Sequence, residues 1–156
     1  HGQDASLLTK DREDGYRASM SAAGLNIGEG LITGGNLNIG DTIEATRRLL
    51  GHPNRPTAIF CANDEMAMGC MHAIKSAGLS IPNDVSVVGF DDIRYAAILD
   101  PPLTNIHQPA HLIGERVMRR LFREIEEGRS VNTEPEIVPH KLVIRDSVAP
   151  PPRTVG

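Results

Sequence analysis

Residues 57–92 read TAIFCANDEMAMGCMHAIKSAGLSIPNDVSVVGFDD, and the fold turns on this stretch. Thr57 to Cys61 is a short apolar run with Ile59 and Phe60 at its centre, the composition of a strand. Asn63 and Asp64 then open a segment in which Met66, Met68, Cys70, Met71 and Ile74 are apolar. Good helix formers continue to Ala77, and Gly78 supplies the stop. A Pro82-Asn83 turn leads into Val85 to Phe90, a largely apolar run of the kind buried on both faces of a parallel sheet. Strand, helix and strand at these lengths predict a right-handed βαβ crossover.

The alternation extends in both directions. Upstream, Thr9 is expected to cap a helix running to Ala23, with Asp11, Glu13 and Asp14 in its first turn and Gly24 at its end. Gly30 to Thr33 (GLIT) reads as a strand, and Asp41 or Thr42 opens a helix carrying Ile43, Leu49 and Leu50. Downstream, Pro109 sits near the start of an amphipathic helix. Its Ile113, Val117, Leu121 and Ile125 recur every fourth residue, with Glu115, Arg119, Arg120 and Glu124 on the other sides and Gly128 at the end. Lys141 to Val148 reads as a final strand, and residues 151–156 as a disordered tail. The pattern predicts an α/β protein with a doubly wound, mostly parallel sheet. In such sheets ligands bind beyond the carboxyl ends of the strands. There Asn63 and Asp64 follow one strand, and Asp91 and Asp92 follow the next.

A chain of 156 residues is long enough for a domain with its own core. Its formal net charge of -4 offers a polyanion no general attraction, and 3% aromatic content argues against stacking platforms for single-stranded nucleic acid. Cys61 and Cys70 lie in apolar segments and read as buried thiols, which favours a reducing compartment. No apolar run is long enough to cross a bilayer. His1 to Ser6 resembles neither a translation start nor a signal peptide, so the chain reads as a piece of something longer.

Adjacent carboxylates at Asp91 and Asp92 admit three readings: acid/base catalysis, a metal site, or a grip on ligand hydroxyls. Neighbours on an extended chain point in opposite directions, so the two are ill placed as a dyad; one faces the site while the other supports the following helix. His107 and His111 are four apart, but Pro109 between them weakens a helical ligand pair, and no third ligand accompanies them. There is no G-x-S-x-G elbow, no G-x-x-x-x-G-K-[ST] loop and no G-x-G-x-x-G. Enzymatic readings are left without a mechanism, and no metal or cofactor is expected. Gripping fits better, because carboxylates and amides at strand ends bond hydroxyls and Arg12 adds a planar fork of donors. Met66, Met68 and Met71 read as core filling.

The phrases TAIFCANDEMAMG, GLSIPNDVSVVGFDDI and DPPLTNIHQP, in this order and spacing, resemble the effector-binding domain of the lactose-repressor family (LacI/GalR) of bacterial transcription regulators. DREDGYRASMSAAGL and KLVIRDSV match it too, and RPTAIFC and IHQP are similar to the purine and cytidine repressor branch. The resemblance implies a periplasmic-binding-protein-like fold of two α/β lobes joined by three crossovers, with a small effector between them. It also implies an N-terminal helix-turn-helix that binds an operator as a dimer in the cytoplasm. Residues 1–105 and 138–150 resemble the C-terminal lobe, and 106–137 a crossover and helix belonging to the N-terminal lobe. The helix-turn-helix and nearly all of the N-terminal lobe have no counterpart here.

By motif position, Arg12 resembles the family's ligand-binding arginine, Asn63 a polar cleft residue, Asp91 the aspartate that accepts from the ligand, and Gln108 a crossover residue near the cleft. Leu37 stands where many members carry a stacking aromatic, which implies a sugar or nucleoside held mainly by hydrogen bonds instead of a flat purine. Two rivals remain: a periplasmic sugar-binding protein of a transport system, and a sugar-modifying enzyme using Asp91 or Asp92.

Overall fold

The computed structural model describes residues 7–128 and 134–151. In chain order its elements are α1 (Leu7–Ala22), α2 (Ile39–Leu50), β1 (Ala58–Phe60), α3 (Asp64–Ser76), β2 (Ser86–Asp91), a 3-10 turn (Ala96–Ile98), β3 (Thr104–His107), α4 (Ala110–Glu127) and β4 (Lys141–Val143). The four strands form one sheet in the order β1-β2-β3-β4. The first three are parallel, Phe60 pairing with Val88 and Val88 with Thr104, while β4 runs antiparallel to β3. The expected βαβ crossover is β1-α3-β2.

Local chemistry sets the limits of α3. Asn63 is its N-cap, its side chain accepting from the Met66 N–H at 2.8 Å, and Asp64 and Glu65 lie in the first turn, where the helix dipole favours negative charge. Gly78, at φ +75, carries the chain into the left-handed region that ends the helix. The inner face of α3 supplies Ala67, Cys70, Met71 and Ile74 to a core shared with Cys61, Val85, Val87, Ala96 and Leu103. Each large aliphatic side chain buried there contributes about 1.5–3 kcal/mol. Both cysteines are buried free thiols, as expected. Gly69 lets α2 lie close to α3, since a Cβ there would stand 2.6 Å from the Ile39 carbonyl oxygen. Past β4, Ser147 is wholly buried between the starts of β2 and β3. Its backbone carbonyl accepts from Val87 N–H, and its hydroxyl donates to Val87 O at 2.6 Å and accepts from Thr104 N–H at 2.8 Å.

Four expectations from sequence are corrected. α1 begins at Leu7, so Thr9 lies inside the helix instead of capping it. α2 begins at Ile39, because Asn38 accepts from Asp41 N–H at 2.9 Å and takes the cap two residues early. Gly30 to Thr33 forms no strand: Leu31 N–H closes a turn onto Gly28 O, and a cavity of about 880 Å³ separates this segment from the open edge of β1. The last strand covers only Lys141–Val143; beyond it the chain is held by isolated backbone bonds at Asp146 and Ser147 and by the Ser147, Thr104 and Ser86 side chains, not by a continuous ladder. The proposed tail falls at residues 152–156 outside the described residues.

Helix α4 follows its predicted bounds and ends at Gly128, φ +62. None of its residues is buried, and Val117, Leu121, Phe122 and Ile125 are all exposed. No described helix is long and apolar enough to cross a membrane.

Candidate functional site

Because β1 and β2 are parallel neighbours, the residues after each emerge on the same rim of the sheet. After β1 come Cys61, Ala62 and Asn63; β2 ends in Asp91, followed by Asp92. Asp91 has φ 108 and Asp92 φ 60, conformations that L side chains rarely adopt. The other two non-glycine residues with positive φ among those described are Asn36 and Leu37, at φ 48 and 55. They lie against the same rim, where Asn63 Nδ2 donates to Leu37 O at 3.4 Å. Backbone strain of about 1–3 kcal/mol per residue persists only where surroundings over-determine it, and it clusters at binding sites.

Three of the residues singled out by sequence meet directly. Arg12 reaches from α1 to donate through Nη2 to Asp91 Oδ1 at 3.4 Å, and Gln108, just past β3, donates Nε2 to the same oxygen. Arg12 also donates through Nη1 to Ala62 O, beside Asn63, while its guanidinium lies 3.8 Å from the Phe90 ring centroid. Stacking and the fork of donors together fix the guanidinium plane. Asn63 and Leu37 form a second pair on the rim: the Asn63 oxygen is occupied as the α3 cap, and its amide donates to Leu37 O. Leu37 is 40% exposed. The cavity of about 880 Å³ lies behind this rim, between α1, residues 31–37, α2 and β1; Arg12 and Leu37 line it, while Asn63, Asp91 and Gln108 do not.

Asp92 does not support the following helix: the 3-10 turn begins after Tyr95 with no side-chain cap. Its carboxylate turns toward the crossover strands instead, with Oδ2 3.0 Å from His107 Nδ1 and Oδ1 2.7 Å from Arg145 Nη1. The Arg145 contact is an ion pair whose angle departs from a hydrogen bond. Burial works to raise the Asp92 pKa, but the Arg145 and His107 contacts outweigh it and hold the carboxyl below its ordinary value. His107 is thus engaged by Asp92, and the described residues contain no group of three potential metal ligands.

Sequence reading gave no role to Phe90 or to Arg145, and it set Asp64 beside Asn63 at the rim, where the structure instead buries it. Asp64 is 2% exposed; its Oδ2 accepts from Ile93 N–H at 2.7 Å and its Oδ1 from Asn105 Nδ2, and burial raises its pKa. The rim therefore offers hydroxyl acceptors on Asp91, a fork of donors on Arg12, and amides on Gln108 and Asn63. No described side chain pairs a nucleophile with a base there.

A strand-helix-strand core with polar side chains gathered at one edge of a parallel sheet is the architecture of periplasmic binding protein-like domains. Residues 1–148 match that family, and the chain belongs to it. Its relatives are LacI-family regulators. A ribose operon repressor from Escherichia coli (strain K12) is 45% identical over 114 residues, spanning 73% of this chain and 34% of that protein. The transcriptional repressor PurR of Vibrio campbellii is 37% identical over 138 residues, covering 86% of this chain and 41% of its own length. Among solved structures, a transcriptional regulator CelR-cellobiose complex superposes with a TM-score of 0.84 at 31% identity, over 94% of this chain and 44% of that one. The chain thus spans less than half the length of each of these relatives.

Proposed function

We propose that this chain is the effector-binding part of a ligand-regulated transcriptional repressor, and that its effector is a small polyhydroxylated molecule, a sugar or nucleoside. The observation that carries the reading is the convergence of Arg12 and Gln108 on one oxygen of Asp91, on a strained turn at the rim. A carboxylate held between two donors is pre-oriented to accept from hydroxyls, and Arg12 and Gln108 keep further donors for a ligand's oxygens. Asn63 and the exposed Leu37 border the same rim. Relatives named for ribose and cellobiose support a sugar, and PurR keeps a nucleoside within reach. In this reading the protein is not an enzyme, works in the cytoplasm, acts as a homodimer, and contacts operator DNA through a segment outside this chain.

The same reading divides the chain into a C-terminal lobe, 1–105 and 138–150, and an excursion, 106–137, that belongs with a second lobe. The exposed apolar stripe of α4 supports the division, since such a face needs a partner surface. Effector closing the groove between lobes then shifts a two-state arrangement to which DNA affinity is coupled. The test is thermal-shift screening and titration calorimetry of the full-length protein against sugars and nucleosides, with Asp91→Ala as the control. A ligand whose affinity the Asp91→Ala variant retains would refute the assignment.

A further inference from the structure

The buried carboxylate of Asp64 is used by neither the core nor the rim contacts described for Arg12 and Gln108, yet it bonds both β3 and the segment that follows the strained turn. It sits at the first position of α3, directly after the capping Asn63. One oxygen takes the Ile93 N–H at 2.7 Å, immediately beyond Asp91 and Asp92. The other takes the side-chain amide of Asn105, a wholly buried residue of β3 that pairs with Gly89. To reach Asn105, Asp64 passes over Gly89, where a Cβ would stand 2.6 Å from Asp64 Oδ1, 2.8 Å from Leu103 Cδ2 and 3.1 Å from Asn105 Nδ2. Ile93 is thus bonded to this carboxylate directly, and Gly89 is linked to it through Asn105, its partner on β3; the three residues between them are Phe90, Asp91 and Asp92.

From this we infer that Asp64 is a positioning residue for Asp91: it anchors both ends of the turn, while Arg12 and Gln108 orient only the side chain at its apex. The inference rests on the reading of Asp91 as the ligand-facing carboxylate. Two positive φ values in succession need such an anchor, because each residue alone would relax toward extended or helical backbone. The other contacts on the turn leave side chains partly open to solvent, Asp91 at 34% and His107 at 36%, whereas Asp64 is sealed. A second oxygen completes the picture. Asn105 Oδ1 is buried and has no hydrogen-bond partner among the described residues. An asparagine at position 64 can therefore keep both contacts, its oxygen accepting from Ile93 N–H and its amide donating to Asn105 after the Asn105 amide turns over. An alanine can keep neither.

The experiment is amide hydrogen exchange and side-chain amide NMR on the full-length protein, wild type against Asp64→Ala and Asp64→Asn. In Asp64→Ala the Ile93 amide is expected to exchange at least tenfold faster relative to Val87, with the Gln108 side-chain amide signal displaced, and Asp64→Asn is expected to restore both. Wild-type Ile93 and Gln108 signals in Asp64→Ala would overturn the inference, as would an Asp64→Asn variant that behaves like the alanine. Should Asp64→Ala fail to fold, Asn105→Ala removes one of the two donors: a partial acceleration at Ile93 supports the inference and an unchanged rate overturns it. Calorimetry with D-ribose on the same proteins separates the two claims. If no ligand needs Asp91, the site reading fails while the exchange result still decides the anchoring.

Discussion

Replacing Gly89 with Ala adds one methyl group at a crowded point of β2. That carbon would lie 2.6 Å from Asp64 Oδ1 and 2.8 Å from Leu103 Cδ2, both closer than real Cβ contacts come. Neither neighbour has room: Leu103 is wholly buried in the core, and Asp64 is held by Ile93 and Asn105. Overpacking of this kind costs about 1–3 kcal/mol. Displacing Asp64 also leaves buried hydrogen-bonding groups unpaired, at about 1–3 kcal/mol each. The expected loss is therefore at least roughly 3 kcal/mol, a large share of the about 5–15 kcal/mol that stabilises an ordinary domain. Urea unfolding followed by circular dichroism measures it. Gly114→Ala is the matched control, because nothing lies within 4 Å of a Cβ at that position in α4. There the gain in helix propensity leaves stability unchanged or raised by up to about 1 kcal/mol. A Gly89→Ala variant within about 0.5 kcal/mol of wild type would show that the packing over β2 is not as described.

Arg12→Lys removes the fork that reaches Ala62 O and Asp91 together and weakens the stacking on Phe90; calorimetry is expected to give at least about tenfold weaker effector binding, or 1.4 kcal/mol, and equal affinity would contradict the geometry. The carboxylates of Asp64 and Asp92 act in opposite senses on stability. Asp92, with its pKa lowered, contributes stability that is present above the unfolded value of about 3.9 and is lost as pH falls through the folded one, so Asp92→Asn should flatten the acid limb of the urea midpoint against pH. Asp64, with its pKa raised, contributes stability present below about 3.9 and lost as pH rises through its folded value; Asp64→Asn should remove that loss, and unaltered limbs in either variant would count against the assigned contacts. On α4, Leu121→Lys and Ile125→Lys are each expected to change the unfolding free energy of this chain by less than about 0.5 kcal/mol, since these side chains are 45% and 66% exposed; a loss above about 2 kcal/mol would mean the stripe is covered.

The central βαβ unit was legible because its signals are local. The strand, cap, helix and Gly78 stop of residues 57–91 follow from propensity and spacing alone, and the fold reproduces them within a residue or two. The rim residues were legible for a related reason: parallel strands end together, so polar residues following each must share an edge. Asp92 was misassigned because its partners, His107 and Arg145, lie 15 and 53 positions away along the chain, and no periodicity encodes such a meeting. The GLIT segment was misassigned because strand composition does not supply a ladder; only the approach of another edge can do that, and β1 stays across a cavity from it.

By itself, then, the order of residues determined the alternating elements, the parallel core and the rim where polar side chains collect, since each rests on contacts between near neighbours or on the direction of strands. Tertiary structure alone decided which oxygen Arg12 and Gln108 share, why Gly89 carries no side chain, and that Asp64 ties both ends of the Asp91 turn. Those outcomes depend on groups 17 to 79 residues apart being carried within hydrogen-bond reach by the packing of α1, α3 and the sheet.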